Sequence, residues 1–315
     1  MFMLPLENLF YFGLSLLLVL HSANLSVEYA SGLAHMLRLP RYIIGFLVIA
    51  IISIIPETSV SLVSAYQGIP SFGLATLFGS NVADLTLIFS IIVFSTAHGI
   101  KVGTRIMENN KWYISLLALP IVLGLDGIYS RFDGAILIVG GLLFYAAILK
   151  RNHFLERPLE SMPQRKLTLF NLATSMAVLL IGSYLTVQYG VAFAQSMNMS
   201  PIFIGMLVVG LGTTLPELFF SLHAIRRNTN DLALGDILGT VISDATIVIG
   251  ILTMVSPFAF PSNIVYVTGI FMLLALLILL AFMRSGRILT KQEGALLFLF
   301  YVLFIFTEYM VNRLH

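Results

Sequence analysis

The sequence contains no cysteine in its 315 residues. That excludes disulfides, thiolate metal centres and a cysteine nucleophile, and says nothing about redox compartment. Charge is scarce as well. Asp, Glu, Lys and Arg together make 10% of the chain, where a soluble domain carries roughly 25%. No Lys or Arg stands at the centre of a long apolar run. There is no Gly-rich phosphate loop of the Walker type, so an ATP-driven pump is disfavoured and no nucleotide or nucleic-acid partner is expected. The segment Met1–Asn8 lacks a basic stretch, so the first apolar run is expected to stay in the chain and not to be cleaved as a signal.

What the sequence has in abundance is apolar surface. Hydrophobic residues make 58% of it, and the mean hydropathy is +0.98. Many runs are long enough to cross a bilayer core of about 30 Å. The reading is an all-α integral membrane protein with the lipid bilayer as its partner. Ten helices are expected, at roughly 6–34, 41–66, 71–98, 111–125, 132–150, 166–196, 200–226, 231–257, 262–284 and 289–311. Turn and charge signals separate them, among them Leu39-Pro40, Gly68-Ile69-Pro70, Ser200-Pro201 and Pro257 to Pro261. The longest polar stretch, Lys150 to Lys166, divides the chain into a first unit (1–150), a linker (151–165) and a second unit (166–315).

The two units repeat each other. Ile44–Thr86 aligned without gaps on Ile204–Thr246 gives 12 identities in 43 positions, among them Pro56/Pro216, Glu57/Glu217, Gly79/Gly239 and Asp84/Asp244. The same offset of 160 matches Tyr29 with Tyr189, and Asp133-Gly-Ala with Glu293-Gly-Ala. Five helices per unit is an odd number, so the second unit must cross the membrane the other way up. Two inverted five-helix repeats are an architecture of secondary transporters. Of the 17 basic residues, all but Arg131 and Arg313 fall on the side of the odd-to-even loops. That side is expected to be cytoplasmic, with 151–165 inside and both termini outside.

Four acids, Glu57, Asp84, Glu217 and Asp244, fall near the middle of their helices. A bare carboxylate there costs a few kcal/mol at least. Each has a hydroxyl four residues earlier: Ser53, Ser80, Thr213 and Thr240. An i,i+4 spacing puts both groups on one helix face. Four such faces at mid-depth make an oxygen cage, which suits hard cations such as Ca2+ and Na+. Pro56 and Pro216 cannot donate to the carbonyls of Ile52 and Gly212, so both helices are expected to break there and to present carbonyls to an ion. Other polar groups have milder readings. His21, Ser22, Asn24, Ser26 and Glu28 either line an access path or bond between helices. His223 is off the face of Glu217. Asp236 near the start of helix 8 favours the positive end of the helix dipole.

The segments Gly-Leu-Gly-Thr-Thr-Leu-Pro-Glu (210–217) and Leu-Gly-Asp-Ile-Leu-Gly-Thr-Val-Ile-Ser-Asp (234–244) resemble the second alpha-repeat of the sodium/calcium exchanger family. Ser53-Ile-Ile-Pro-Glu57 and Gly79-Ser-Asn-Val-Ala-Asp84 are similar to the first. The resemblance covers essentially the whole chain. It implies two inverted repeats, alternating-access exchange of Ca2+ for Na+ and no enzymatic activity. It further implies a plasma-membrane location and joint sliding of helices 1 and 6. By matching position, the implied ligands are Ser53, Glu57, Ser80 and Asp84, then Thr213, Thr214, Glu217, Thr240 and Asp244, with the carbonyls of Ala50 and Gly210. Two departures stand out. The first repeat has Ile52-Ser53-Ile54 in place of Gly-Thr-Ser, and Asp84 replaces an Asn common in the family. A fourth carboxylate admits two outcomes. Asp84 acts as a neutral, protonated stand-in for Asn, or it ionises and recruits K+ or H+ as an additional ion. The alternatives are an H+- or K+-coupled exchanger of the same fold, a passive channel and, more distantly, an intramembrane aspartyl protease. The last lacks a Tyr-Asp partner, and Ala233-Leu-Gly-Asp236 lacks the first Gly of that signature.

Overall fold

A computed structural model describes residues 5–36, 41–97, 99–103, 106–107, 110–151, 165–226 and 230–313. Ten long helices run through them. The first unit holds α1 (Pro5–Met36), α2 (Arg41–Tyr66), α3 (Pro70–Phe94), α4 (Asn110–Leu123) and α5 (Arg131–Arg151). The second holds α6 (Arg165–Ser196), α7 (Pro201–Arg226), α8 (230–255), α9 (Ile264–Arg284) and α10 (Lys291–Arg313). Seven of them are long and apolar enough to cross a bilayer, and a helix suits that setting because its backbone polar groups are satisfied internally. The chain is an integral multi-pass membrane protein of two inverted five-helix repeats. Helix 3 stops at Phe94, short of the expected residue 98, in the turn that follows Ser95. Most of the expected 151–165 linker lies outside the described residues.

Burial separates the helices into a core and a shell. The apolar windows of α3 and α8 are 83% and 78% buried, against 22% for α5 and 28% for α10. The two motif-bearing helices of the repeat are therefore central, and the fifth helices face lipid. The first helices, α1 and α6, pack along one another. Tyr11 stacks on Tyr189 at 5.2 Å between ring centres. At Gly182 the two helices come so close that an added Cβ would lie 3.2 Å from the backbone nitrogen of Val19.

The duplication is written into details of hydrogen bonding. Ser130 and Asp133 form a reciprocal cap at the start of α5, with Ser130 N–H donating to Asp133 Oδ2 at 2.8 Å. Thr290 and Glu293 do the same for α10 at 2.7 Å. Ser61 Oγ donates to Gly73 O at 3.5 Å between α2 and α3, and Ser221 Oγ to Ala233 O at 3.4 Å between α7 and α8.

Four two-residue strands, absent from the sequence expectation, join the units. β1 (Ile100–Lys101) pairs with β4 (Ile288–Leu289), and β2 (Ile128–Tyr129) with β3 (Phe258–Ala259), both antiparallel. Each ribbon crosses between units, so a loop of the first half is tied to a loop of the second. The flanking bonds correspond too: Val102 N–H donates to Arg287 O and Phe260 N–H to Gly127 O, each at 2.9 Å. The acceptors share a left-handed backbone, with φ of 77° at Gly127 and 56° at Arg287.

Candidate cation site at the repeat interface

Glu57, Asp84, Glu217 and Asp244 are all buried, each at most 1% exposed. They lie on α2, α3, α7 and α8, the helices that carry the repeated motif. Glu57 is within electrostatic range of Asp84, Glu217 and Asp244. The two halves therefore bring their acids to one region. The Thr213 hydroxyl on α7 lies close to Glu57 on α2. Among the described residues, both oxygens of Asp84, Glu217 and Asp244, and Oε2 of Glu57, have no hydrogen-bond partner. A buried carboxylate oxygen without a donor is costly, and a bound cation would relieve it. Among the described residues no three carboxylates stand close enough to hold one ion by themselves. An ion held here would complete its shell with hydroxyl and carbonyl oxygens.

The hydroxyls fit that role. Ser80 Oγ donates to Leu77 O at 3.0 Å, Thr213 Oγ1 to Gly210 O at 3.1 Å and Thr214 Oγ1 to Leu211 O at 3.0 Å. With their protons committed to their own helix, these oxygens keep lone pairs for a cation. Thr240 Oγ1 is buried without a partner. Ala50 and Ser53 sit in α2, but their side chains lie outside those described. All the described candidates are brought to the α2–α3–α7–α8 crossing.

Each aspartate opens a π-helical turn. Asp84–Ile88 in α3 and Asp244–Val248 in α8 are both π, at the same offset of 160. Thr86 and Thr246 sit inside them, and each returns its hydroxyl to a carbonyl four residues back, Val82 O and Ile242 O, at 2.5 Å. That bond competes with the helical ladder. A π turn adds a residue to the turn and re-aims the side chain at its start, and such turns concentrate at functional sites. No pattern of hydropathy announces it; the paired Asp-x-Thr is the only signal.

The proline expectation holds in one half only. α7 breaks at Thr214, two residues before Pro216, while α2 runs unbroken through Pro56. The physical difference is Gly210 and Gly212 in α7 against Ala50 and Ile52 in α2. A second π turn, Gly205–Val209, precedes the break.

The reading of Asp236 is corrected. It is the seventh residue of the stretch beginning at Asn230, two turns in, beyond the reach of a terminal dipole. It is 6% exposed and within electrostatic range of Asp84 and Glu217. With Thr240 and Asp244 it forms an i, i+4, i+8 stripe on α8; Thr76, Ser80 and Asp84 form the matching stripe on α3. Asn81 was also missed: its Oδ1 is buried and unpartnered while its Nδ2 meets Met272 Sδ at 3.6 Å. The helix 1 patch resolves only in part. Ser22 donates to Leu18 O at 2.6 Å in its own helix and His21 is exposed; the side chains of Asn24, Ser26, Glu28 and His223 lie outside those described.

Comparison with known proteins agrees with the geometry. The family model described as sodium/calcium exchanger protein matches residues 7–149 and 167–310. A protein of Alkalimonas amylolytica that carries the provisional name of an antiporter, CaxA, is 29% identical, over 91% of this chain and 94% of its own. The fold matches an H+/Ca2+ exchanger, CAX, with a TM-score of 0.79 at 14% identity, over 98% of this chain and 85% of the other. It also matches the sodium-calcium exchanger NCX_Mj soaked with Na+ and Sr2+, with a TM-score of 0.65 at 23% identity, over 95% and 98%.

Proposed function

The chain belongs to the sodium/calcium exchanger family, as a membrane cation antiporter and not an enzyme, and on that premise we propose that it exchanges Ca2+ for Na+ by alternating access at the α2–α3–α7–α8 crossing. Glu57 and Glu217 neutralise the divalent ion. Ser53, Ser80, Thr213, Thr214 and Thr240, with the carbonyls of Ala50 and Gly210, replace its water. Asp84 and Asp244 complete the set. The observation that carries this reading is the set of buried carboxylate oxygens without donors, contributed symmetrically by both halves. Hard cations take such all-oxygen shells. The units 1–150 and 166–315 then act as the two halves of the exchanger, and α1 and α6 slide together to switch access. The cytoplasmic side is the one holding most basic residues, with 151–165 inside and the termini outside, in the cell membrane. A cysteine introduced at position 155 of this Cys-free chain is expected to resist an impermeant thiol reagent in intact cells; rapid labelling overturns the orientation.

A second reading, exchange coupled to H+ or K+, rests on one residue, Asp84. Two acids at a dry crossing resist ionising together, so Asp84 either stays neutral in place of an amide or brings in another cation. Ca2+ uptake into proteoliposomes, with internal Na+, K+ and pH varied one at a time, separates these. Uptake driven by internal Na+ alone is expected; uptake driven only by a pH gradient, or by no counter-ion at all, sinks Na+ coupling. Asp84→Asn is expected to keep the exchange and flatten its pH dependence. A collapse of exchange at every pH assigns Asp84 as an ionised ligand instead.

A further inference from the structure

Away from the central crossing, where α6 and α10 end and α7 and α9 begin, two adjoining cavities of about 420 and 380 Å3 share Ser200 and Asn312 in their walls. None of the four central acids lines either. Behind the shared wall lies a sixth buried acid, Glu308, 1% exposed. The duplication does not account for it: the matching position in the first unit is Ile148. Its Oε1 accepts from Thr268 Oγ1 at 2.5 Å and its Oε2 from Asn312 Nδ2 at 3.2 Å. Asn312 Nδ2 also donates to Glu308 O at 2.8 Å. Both amide hydrogens are thereby committed to Glu308, so Asn312 has only its acceptor oxygen left to offer the cavities. Across the smaller cavity, Asn263 Oδ1 is buried without a donor.

We propose that this cavity pair is a second cation site, in which the amide oxygens of Asn312 and Asn263 and the hydroxyl of Ser200 take a hard cation and Glu308 supplies the countercharge from behind. The donors are all oxygen, which selects Na+, K+ or Ca2+ over soft metals. All its contacts with neighbours among the described residues are neutral donors that orient Glu308 without cancelling its charge. A carboxylate so placed acts as a second-layer charge, fixing the amide that meets the ion and raising its field. The site stands whether or not the central crossing carries the exchange.

Tb3+ is the probe, because Tyr309 lines the larger cavity and can sensitise its emission. In full-length protein, the part of the emission lost in Tyr309→Phe reads this cavity, both in the wild type and with Glu57→Gln and Glu217→Gln in place. That part is expected to saturate and to be displaced by Ca2+, Na+ or K+, added separately, which identifies the natural ion. Glu308→Gln is expected to weaken Tb3+ binding about tenfold and Asn263→Asp to tighten it about tenfold, the sign and scale of one charge at close range in a partly wet site. No loss of emission in Tyr309→Phe, failure of all three cations to displace the Tyr309-dependent part, or an Asn263→Asp affinity no tighter than wild type overturns the site, whatever Glu308→Gln does to folding.

Discussion

The α3–α7 and α2–α8 crossings are equivalent positions under the duplication, and they are built differently. At the first, α3 and α7 touch backbone to backbone: a Cβ on Gly79 would lie 2.0 Å from Met206 O, and one on Gly210 would lie 2.9 Å from Ser80 N. At the second, a Cβ added to Gly239, the counterpart of Gly79, meets none of the described residues within 4 Å. α8 is held instead from α5, where Tyr145 donates its hydroxyl to Gly239 O at 3.1 Å and also contacts Ser243 Oγ. The first half has no such clamp to return, since Ile305 and Ala83 stand at the matching places. The acids and the π turns follow the symmetry; the contacts that hold them do not. Position is inherited from the repeat, and rigidity is set crossing by crossing.

The strongest way to break this comparison is at the acids, where the halves should behave alike. Glu57→Gln and Glu217→Gln are each expected to lower Ca2+ flux by on the order of 100-fold or more, the scale of roughly 3 kcal/mol for removing a charged partner. Flux near wild type in either variant ends the two-fold site. The next test is at the glycines, where the halves should differ. Gly79→Ala drives a methyl into the backbone of α7 and is expected to cost about 1–3 kcal/mol as overpacking. Gly239→Ala is expected to be neutral or to gain a few tenths of a kcal/mol, roughly the helix preference of Ala over Gly. Melting of the purified variants reads both, and equal losses would erase the distinction between the crossings. The smallest effect belongs to the clamp. Tyr145→Phe removes one hydroxyl and is expected to cost about 1 kcal/mol, seen as a lower melting temperature with the site acids untouched. An unchanged melting temperature removes Tyr145 from the account.

Much of this was legible in the chain itself. A doubled Pro-Glu and a doubled Gly-x4-Asp at one offset located all four acids, because periodicity and charge in an apolar run depend only on neighbours in sequence. The helices followed for the same reason. The break of α7 at Thr214 and the unbroken course of α2 did not follow, because proline removes one donor in both halves and the outcome rests on whether glycines or an alanine and an isoleucine precede it. Asp236 was misread although the boundary was right to one residue: it lies more than a turn inside α8 either way, and the acids near it, Asp84 and Glu217, come from other helices. Glu308 was invisible as a site because its partner Thr268, and Asn263 across the cavity, stand 40 or more residues away in the sequence.

The crossed ribbons carry a consequence about descent. Ile100 pairs with Leu289 as Phe258 pairs with Tyr129, and Lys101 with Ile288 as Ala259 with Ile128. In each case strand one of a unit meets strand two of the other, and the exchange of roles is reciprocal. That is the geometry of an isologous interface, in which patch i of one subunit binds patch j of its twin and the twin returns the contact. A lone five-helix unit has one strand of each ribbon but a partner for neither. Two free copies lying antiparallel in a bilayer would satisfy both ribbons at once, with no new contact needed. The single chain thus retains the docking code of a dimer of identical halves, and its linker has only to keep together two pieces already shaped to find each other.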